Sequence, residues 1–348
     1  MPVRTETVAI NIGEDAELGD RVDAVEWSCD ALSLDPAHLG NVRNAQWETS
    51  YLFADSGGTT VGLLSLHRSR SEHFPVEMFD PAAVAPAVFG AWRRPASDYL
   101  FLGGGTDLVA GCALARHLPE AERARVGRAL ADAAFATAER RGLCPAAMYV
   151  PDGQAALFRA GHRPGVVVEH LAELPVPGPD LDSYLAFLDS GRRSVVSRDL
   201  NRLERAGLHG RPGPAADAAA EGAPLVAAVK RRHGIAEHPR LTALRLSRWA
   251  TVPVGWRLAF EVRDRHGRLA AVSFGCHDGD VLELFEIGLD DGADRHLAYV
   301  EALVYAPMRY AIAERCRVIR LGLGSSRPKD LRGARFIPMW AIGEEMRK

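Results

Sequence analysis

The stretch AYVEALVYAPMRYAIAERCRVIRLGLGSSRPKDLRGARF, residues 298–336, decides the fold of the second half of this chain. Its first part is apolar at three- and four-residue steps, at Leu303, Ala306, Tyr310 and Ala313. This spacing predicts a helix, and Pro307 should kink that helix near Val304 because proline removes a backbone hydrogen bond. Residues 318–324 then alternate and end in glycines, which predicts a strand that stops at a loop.

Lys329 lies on that glycine-rich loop, and lysine is rare in this chain. Of the 42 cationic residues, lysine occurs only at 230, 329 and 348, and arginine fills every other position. Arginine cannot replace a compact ammonium group that must enter a narrow cleft. The scarcity of lysine therefore makes Lys329 a candidate site residue, although a solvated surface lysine is the simplest alternative.

Composition excludes several classes of protein. The chain has 348 residues, a net charge of −3 and 47% hydrophobic residues, which indicates a globular protein of two domains without a global basic field for DNA. Five scattered cysteines without C-x-x-C spacing argue against a disulfide framework or a metal site. No apolar run reaches membrane-spanning length, and the N-terminus has no signal-peptide pattern. We therefore expect a cytoplasmic protein with no tightly bound cofactor.

The order of predicted elements is similar in the two halves of the chain. Each half shows hairpin strands, a long helix and further strands, and Pro175–Pro179 is the clearest linker between them. This order predicts an α/β protein with an N-terminal domain over 1–176 and a C-terminal domain over 180–348. Each domain should hold a mixed, mostly antiparallel sheet flanked by helices.

The N-terminal half resembles the GNAT acyltransferase superfamily, most locally at 113–174. Residues 124–129, ARVGRA, stand where that superfamily has Q/R-x-x-G-x-G/A, a turn that cradles a pyrophosphate at a helix N-terminus. Ala124 occupies the first position, flanked by Arg123 and Arg125. Residues 155–162, AALFRAGH, resemble a further turn of the same fold. The resemblance implies that Arg123, Arg125 and Gly127 contact a donor.

The chain resembles the FemABX and FemAB-like group, whose members contain two GNAT-like domains in tandem; the resemblance covers about 180–345 well and about 45–175 more loosely. The resemblance rests on the two similar halves, the helices over 181–206 between them, and the K-x-x-R-G-A-x-F segment at 329–336. Fem-type enzymes transfer an aminoacyl group from a charged tRNA to an amine on a cell-wall precursor. Relatives in secondary metabolism of actinomycetes transfer aminoacyl or acyl groups to small amines. The resemblance thus implies a transferase that forms an amide bond.

Within that pattern, Lys329 matches the lysine near the reacting carbonyl, where its charge would stabilise the oxyanion. It could instead bind a carboxylate or phosphate of a substrate. For acid and base steps, the kinked helix offers Tyr299, Tyr305 and Tyr310, and the preceding strand offers Glu283 and Glu286. We select Tyr299 and Glu286, and we note that two residues an odd number apart cannot face the same side of a regular strand.

Two runs of arginine fit a phosphate-rich donor, either aminoacyl-tRNA or acyl-CoA. The members that we select as donor-binding residues from these runs are Arg198, Arg202, Arg205, Arg327 and Arg332. The first three recur at helical spacing and should share a face. A solvated helix face would show the same pattern.

Three functions remain open from the sequence. The first is transfer of an aminoacyl group from aminoacyl-tRNA to a small-molecule amine. The second is acyl-CoA-dependent N-acyl transfer, and the third is a non-catalytic binding module with the same fold. The sequence does not specify the acceptor, the transferred group or the oligomeric state.

Overall fold

The computed structural model describes residues 11–16, 18–19, 22–41, 46–90, 94–104, 109–292 and 294–344. The chain divides into two compact units, Met1–Glu169 with Pro338–Lys348, and His170–Ile337. The division therefore falls before the proline-rich linker. The C-terminal residues belong to the first unit because the last strand returns to pair with a strand of that unit.

The first unit is built on a mostly antiparallel sheet. Its strands are β1 (Asn11–Asp15), β2 (Trp27–Ser28), β3 (Trp47–Ser56), β4 (Thr59–Ser69), β5 (Tyr99–Leu102), β6 (Ala113–Ala115), β7 (Cys144–Pro151) and the end of β14 (Arg335–Gly343). The main path runs β1, β3, β4, β5, β7, β14, and β5 and β7 are parallel. β3 and β4 form the hairpin that the glycines after Ser56 predict.

The helices of this unit supply much of its core. They are α1 (Pro36–Asn41), α2 (Pro81–Val84), α3 (Pro86–Phe89), α4 (Glu120–Arg140) and α5 (Asp152–Phe158). The long helix α4 follows Pro119, which has the extended conformation of a residue before a helix. Its buried face, with Val126, Leu130 and Ala134, packs against β3 and β4.

The second unit is built on a sheet with the order β9, β10, β11, β12, β13, β8. The strands are β8 (Gly165–Pro175), β9 (His209–Pro214), β10 (Trp256–Arg263), β11 (Leu269–Asp278), β12 (Val281–Leu289) and β13 (Val318–Arg320). β12 and β13 are parallel, and the other neighbours are antiparallel. β12 and β13 pair only over three residues, from Val281 to Glu283 on β12. The pairing ends where β13 itself ends, at Arg320.

Helices cover both faces of this second sheet. They are α6 (Leu181–Phe187), α7 (Ser190–Ala206), α8 (Ala215–Arg232), α9 (Pro239–Ala250), α10 (Arg295–Val300), α11 (Ala306–Ala313) and α12 (Ser326–Asp330). On one face, Phe274 packs against Gly222 of α8. On the other face, Ser273 Oγ donates a hydrogen bond of 2.6 Å to the carbonyl of Ala302.

The predicted kink is a π-helical turn. Residues Glu301–Tyr305 form this turn between α10 and α11, and Pro307 lies in the first turn of α11. A π-helical turn accommodates the hydrogen bond that proline cannot make, and such turns are frequent at functional sites. The irregularity that the sequence predicted near Val304 is therefore present.

The predicted fold class is confirmed. Both units combine α-helices with a mixed, mostly antiparallel sheet. Within the part of the chain that the structure describes, no helix is long and apolar enough to cross a membrane.

Candidate functional site

The loop that follows β13 has an unusual backbone. Gly322 and Gly324 have φ of 72° and 67°, and Ser325 has φ of 48°. Space is open around both glycines, so their left-handed conformation is what requires glycine there. A serine in this region carries a conformational cost that must be offset by contacts. We call residues 322–334 the lysine loop.

Lys329 is buried at the base of this loop. The residue is 2% exposed. Its Nζ donates hydrogen bonds of 2.9 Å each to the carbonyl oxygens of Gly322 and Leu323. Gly322 O also accepts from the backbone N–H of Ala172 on β8. The ammonium group is thus fixed just beyond the end of β13, beside β8.

A buried ion pair fastens the loop to α7. The Arg332 guanidinium pairs with the carboxylate of Asp199 on α7. Arg332 Nε also donates a hydrogen bond of 3.0 Å to the hydroxyl of Tyr305, and that hydroxyl donates one of 2.8 Å to Asp199. All three residues are buried. The loop, helix α7 and the π-helical turn therefore form one hydrogen-bonded cluster.

Two further contacts complete this cluster. Tyr184 of α6 donates a hydrogen bond of 2.7 Å to the carbonyl of Arg332, and Arg332 Nη1 donates one to the carbonyl of Pro328. Burial raises the pKa of Tyr184 and of Tyr305 above the ordinary value. Both phenols therefore stay protonated and act as hydrogen-bond donors.

Tyr299 lies beside the same loop and contacts Ser325. Burial raises the pKa of Tyr299, while its hydrogen bond with Ser325 and the charge of Arg332 act in the opposite direction. Because the net pKa lies above the ordinary value, the phenol is neutral at physiological pH. Tyr299 is thus in the form that donates a proton, and it can accept one only after it has given its own proton away.

Glu286 lies away from Lys329, on the opposite face of the sheet. It pairs in register with Phe274, whose ring packs against α8, whereas the lysine loop contacts α7 and the π-helical turn. Its carboxylate is 2.7 Å from Arg245 and 3.1 Å from Lys230. The structure therefore brings Tyr299 to the lysine loop but does not bring Glu286 there.

Glu283 and Glu286 do not face opposite sides of the sheet, as alternation along a regular strand predicts, because β12 contains a β-bulge between them. Phe274 pairs with Glu286 and Gly275 with Leu284, so Phe285 is an extra residue on β12. Both glutamates consequently face the α8 side, Glu283 opposite Cys276 and Glu286 opposite Phe274. Glu283 pairs there with Arg320, at 3.2 Å.

The predicted arginine stripe exists on α7. Arg198, Arg202 and Arg205 are exposed. No carboxylate of the described residues pairs with them, although Arg205 Nε donates to the backbone carbonyl of Asn201. Asp199 lies on the same helix and points inward. The helix that carries the exposed stripe is therefore the helix that holds the lysine loop.

The other predicted donor-binding residues are in different environments. Arg327 is exposed on α12, in the lysine loop, whereas Arg332 is buried and neutralised by Asp199. Arg123 Nη2 donates a hydrogen bond of 2.7 Å to Ser28 in the first unit. Arg125 is half-buried on α4. Of these four, Arg327 alone is exposed, and it lies two residues before Lys329.

The expected pyrophosphate turn at 124–129 is not a turn. Helix α4 already begins at Glu120, so Gly127 lies inside the helix. Backbone N–H groups in a helix interior bond to carbonyls one turn earlier and cannot cradle a ligand. Gly127 is buried, and a Cβ there would approach Leu157 Cδ1 at 2.7 Å. It serves close packing between α4 and α5.

Asp199 and Tyr184 are site residues that the sequence did not indicate. Asp199 lies in an arginine-rich run. There the sequence alone suggests that an acidic residue forms a surface ion pair with neighbouring arginines. The available signal was its position three residues after Val196 and four before Leu203, both of which are buried. That spacing puts Asp199 on the inner face of α7.

The described residues contain no group of histidine, cysteine, aspartate and glutamate side chains that could hold a metal ion. The lysine loop itself offers a fixed ammonium group, a neutral phenol and nearby guanidinium groups. Such a set can stabilise developing negative charge and supply a proton.

Comparison with known proteins identifies the fold. No model of a known protein family matches the chain, and no curated protein matches its sequence. Solved structures do match. FemX has a TM-score of 0.61 at 10% identity, with 94% of each chain covered. L-PGS from Bacillus licheniformis has a TM-score of 0.58 at 10% identity, covering 94% of this chain and 91% of that one.

A third similar structure is a tandem GNAT protein from the clavulanic acid biosynthesis pathway. Its TM-score is 0.50 at 13% identity, with 98% of this chain and 100% of that chain covered. At these identities the likeness is one of fold. The predicted resemblance to FemABX-like proteins with tandem GNAT domains is confirmed at that level.

Proposed function

We propose that this protein is an aminoacyltransferase that moves an aminoacyl group from aminoacyl-tRNA to a small-molecule amine. The observation that carries the proposal is the coupling of the lysine loop to the arginine stripe. Asp199 holds Arg332 of the loop, and Arg198 and Arg202 flank Asp199 on the outer side of the same helix. A polyanionic donor bound along α7 would therefore be positioned relative to Lys329.

The charges at the helix N-termini favour tRNA over coenzyme A as the donor. A pyrophosphate binds at a helix N-terminus that offers free N–H groups and no nearby acids. The first turn of α4 contains Glu120 and Glu122. In the second unit, Asp290, Asp291 and Asp294 precede α10. The glutamates oppose a diphosphate at α4, and near α10 the arginines Arg268 and Arg232 are already paired with Asp290 and Asp291. The exposed stripe on α7, in contrast, suits an extended phosphate backbone.

The reaction needs few protein groups. The amine nitrogen attacks the ester carbonyl, the new C–N bond forms, and the C–O bond to the terminal ribose breaks. Negative charge develops on the carbonyl oxygen, where we place the Lys329 ammonium group as the stabilising cation. Loss of such a donor costs about 2.7–4 kcal/mol of transition-state stabilisation. Lys329 is held by two carbonyls, so its position needs no reorganisation during the reaction.

Proton transfer is assigned to Tyr299. The amine nitrogen loses a proton as the amide forms, and the ribose oxygen gains one as it leaves. A neutral phenol beside the lysine loop can donate its proton to that oxygen and recover one from the attacking amine. The raised pKa of Tyr299 keeps the phenol in the donating form.

The donor assignment is tested by sensitivity to RNase. The full chain is incubated with a charged tRNA pool and an amine library, and amide products are detected by mass spectrometry. We expect products that disappear when the tRNA is digested beforehand. Products that require an acyl thioester and survive RNase would replace the proposal by coenzyme A-dependent transfer. Tight binding of charged tRNA without turnover would indicate a binding module.

A further inference from the structure

Helix α9 presents an outer face that no other described element covers. Residues 240, 241, 244, 247, 248 and 251 are exposed and recur at helical spacing. Leu241 is 60% exposed and Leu244 is 50% exposed. The inner face buries Thr242, Leu246 and Trp249. The helix therefore packs against α8 and keeps two leucines in contact with solvent.

All charged residues of α9 are positive. The sequence of α9, PRLTALRLSRWA, contains three arginines and no acidic residue. Arg245 is bound to Glu237 and Glu286. Arg240 and Arg248 are exposed, and no described carboxylate pairs with them. They lie on either side of the two leucines along the helix. We call Arg240, Leu241, Leu244 and Arg248 the α9 face.

From this arrangement we propose that the α9 face docks on an anionic phospholipid bilayer. Leucine side chains flanked by arginines match the boundary between headgroups and acyl chains, because the leucines enter the apolar layer while the guanidinium groups meet phosphates. Binding would be peripheral, through one face of a helix that stays packed on the protein.

Other occupants fit the α9 face less well. RNA offers phosphates to the arginines but has no counterpart for two exposed aliphatic side chains, since single-stranded bases stack on aromatic rings. A second copy of the chain would bring like charges together, because each copy contributes the same unpaired arginines. A bilayer satisfies the charge and the apolar surface together.

The α9 face is separate from the arginine stripe. Helix α9 is joined to the α8 side of the sheet, where Arg245 pairs with Glu286, whereas α7 lies with the π-helical turn on the other side. Loss of the membrane contact therefore need not affect donor binding, and the proposal does not depend on the proposed reaction.

Vesicle flotation of the full chain tests the proposal. The vesicles are phosphatidylcholine with or without phosphatidylglycerol. We expect binding to the mixed vesicles and little to pure phosphatidylcholine. The double variant Leu241→Ser/Leu244→Ser should lower the partition coefficient about tenfold, because each leucine loses its transfer from water. Arg240→Gln/Arg248→Gln should lower it by a similar factor.

Two controls make the result specific. Arg198→Gln/Arg202→Gln removes the same charge from the opposite side of the sheet and should leave vesicle binding intact. Trp256→Ser removes a 75% exposed tryptophan outside the α9 face and should also leave it intact. Circular dichroism checks the fold of each variant.

Absence of binding to mixed vesicles would overturn the proposal, as would equal loss in the control variants. Retention of binding by the leucine variant would show that the arginines act alone and would also overturn it. If Arg240→Gln/Arg248→Gln weakens binding of bulk tRNA while vesicles are not bound, the α9 face is an RNA surface instead.

Discussion

Arg332 and Asp199 are 133 residues apart in the chain and form a buried ion pair that fastens the lysine loop to helix α7. Tyr305 bonds to both members. The pair joins the loop that carries Lys329 to the helix that carries the exposed arginines. Its integrity should therefore matter both for stability and for the alignment of donor and reacting group.

Replacing Asp199 by Asn should destabilise the protein by about 3–5 kcal/mol, because it leaves a buried guanidinium group without its counter-ion. The double variant Asp199→Leu/Arg332→Met should lose much less, since it removes both charges. Urea unfolding of the two variants measures the difference. A loss below about 1 kcal/mol for Asp199→Asn would show that the pair is not buried as described.

The arginine stripe should act on donor binding and not on the chemical step. The triple variant Arg198→Gln/Arg202→Gln/Arg205→Gln should raise KM for charged tRNA and leave kcat nearly unchanged. It should also reduce the slope of log affinity against log salt by about two to three, roughly one per lost phosphate contact. A matched triple variant, Arg231→Gln/Arg240→Gln/Arg248→Gln, controls for net charge. Equal weakening by both would contradict a site on α7.

Glu286 should contribute to structure and not to catalysis. The change Glu286→Gln removes its ion pairs with Arg245 and Lys230, which are partly exposed, and should cost about 1 kcal/mol of stability. Because the side chain lies on the far face of the sheet, turnover at saturating substrate should stay within about twofold. A hundredfold loss in kcat with an intact fold would show that Glu286 takes part in the reaction.

Acid stability should depend on Glu237. Burial would raise the pKa of this carboxyl, but hydrogen bonds from Arg245 and Lys230 outweigh it and bring the pKa to about 2. A folded pKa below the ordinary value of 4.5 stabilises the fold above pH 4.5, and this contribution is lost as the pH falls towards 2. Unfolding free energies measured across that window should fall less steeply for Glu237→Gln than for the wild type. Identical slopes would contradict the assignment.

Local signals in the sequence predicted much of the fold. The glycines after Ser56 predicted the hairpin of β3 and β4, and Pro307 predicted the irregular turn before α11. These features depend on residues that are close in sequence. Residues 124–129 resembled a pyrophosphate turn by residue type alone, because helix α4 already begins at Glu120.

The site was less predictable because its contacts are distant in sequence. The partner of Arg332 lies on a helix that precedes it by more than a hundred residues, and its inward position follows from packing of α7. The side of the sheet that Glu283 and Glu286 face depends on the extra residue Phe285. That bulge is visible only from the register of β12 against β11. Alternation along a single strand cannot show such a bulge.

The central claim is that the Lys329 ammonium group stabilises the oxyanion of an aminoacyl transfer. Single-turnover rates with saturating charged tRNA measure that step directly for Lys329→Ala and Lys329→Arg. We expect Lys329→Ala to react about a hundredfold or more slowly with nearly unchanged donor affinity. Lys329→Arg should also be slow, because a planar guanidinium group does not fit between the two carbonyls that hold the ammonium. Rates near that of the wild type in both variants, with donor binding and folding intact, would contradict the claim.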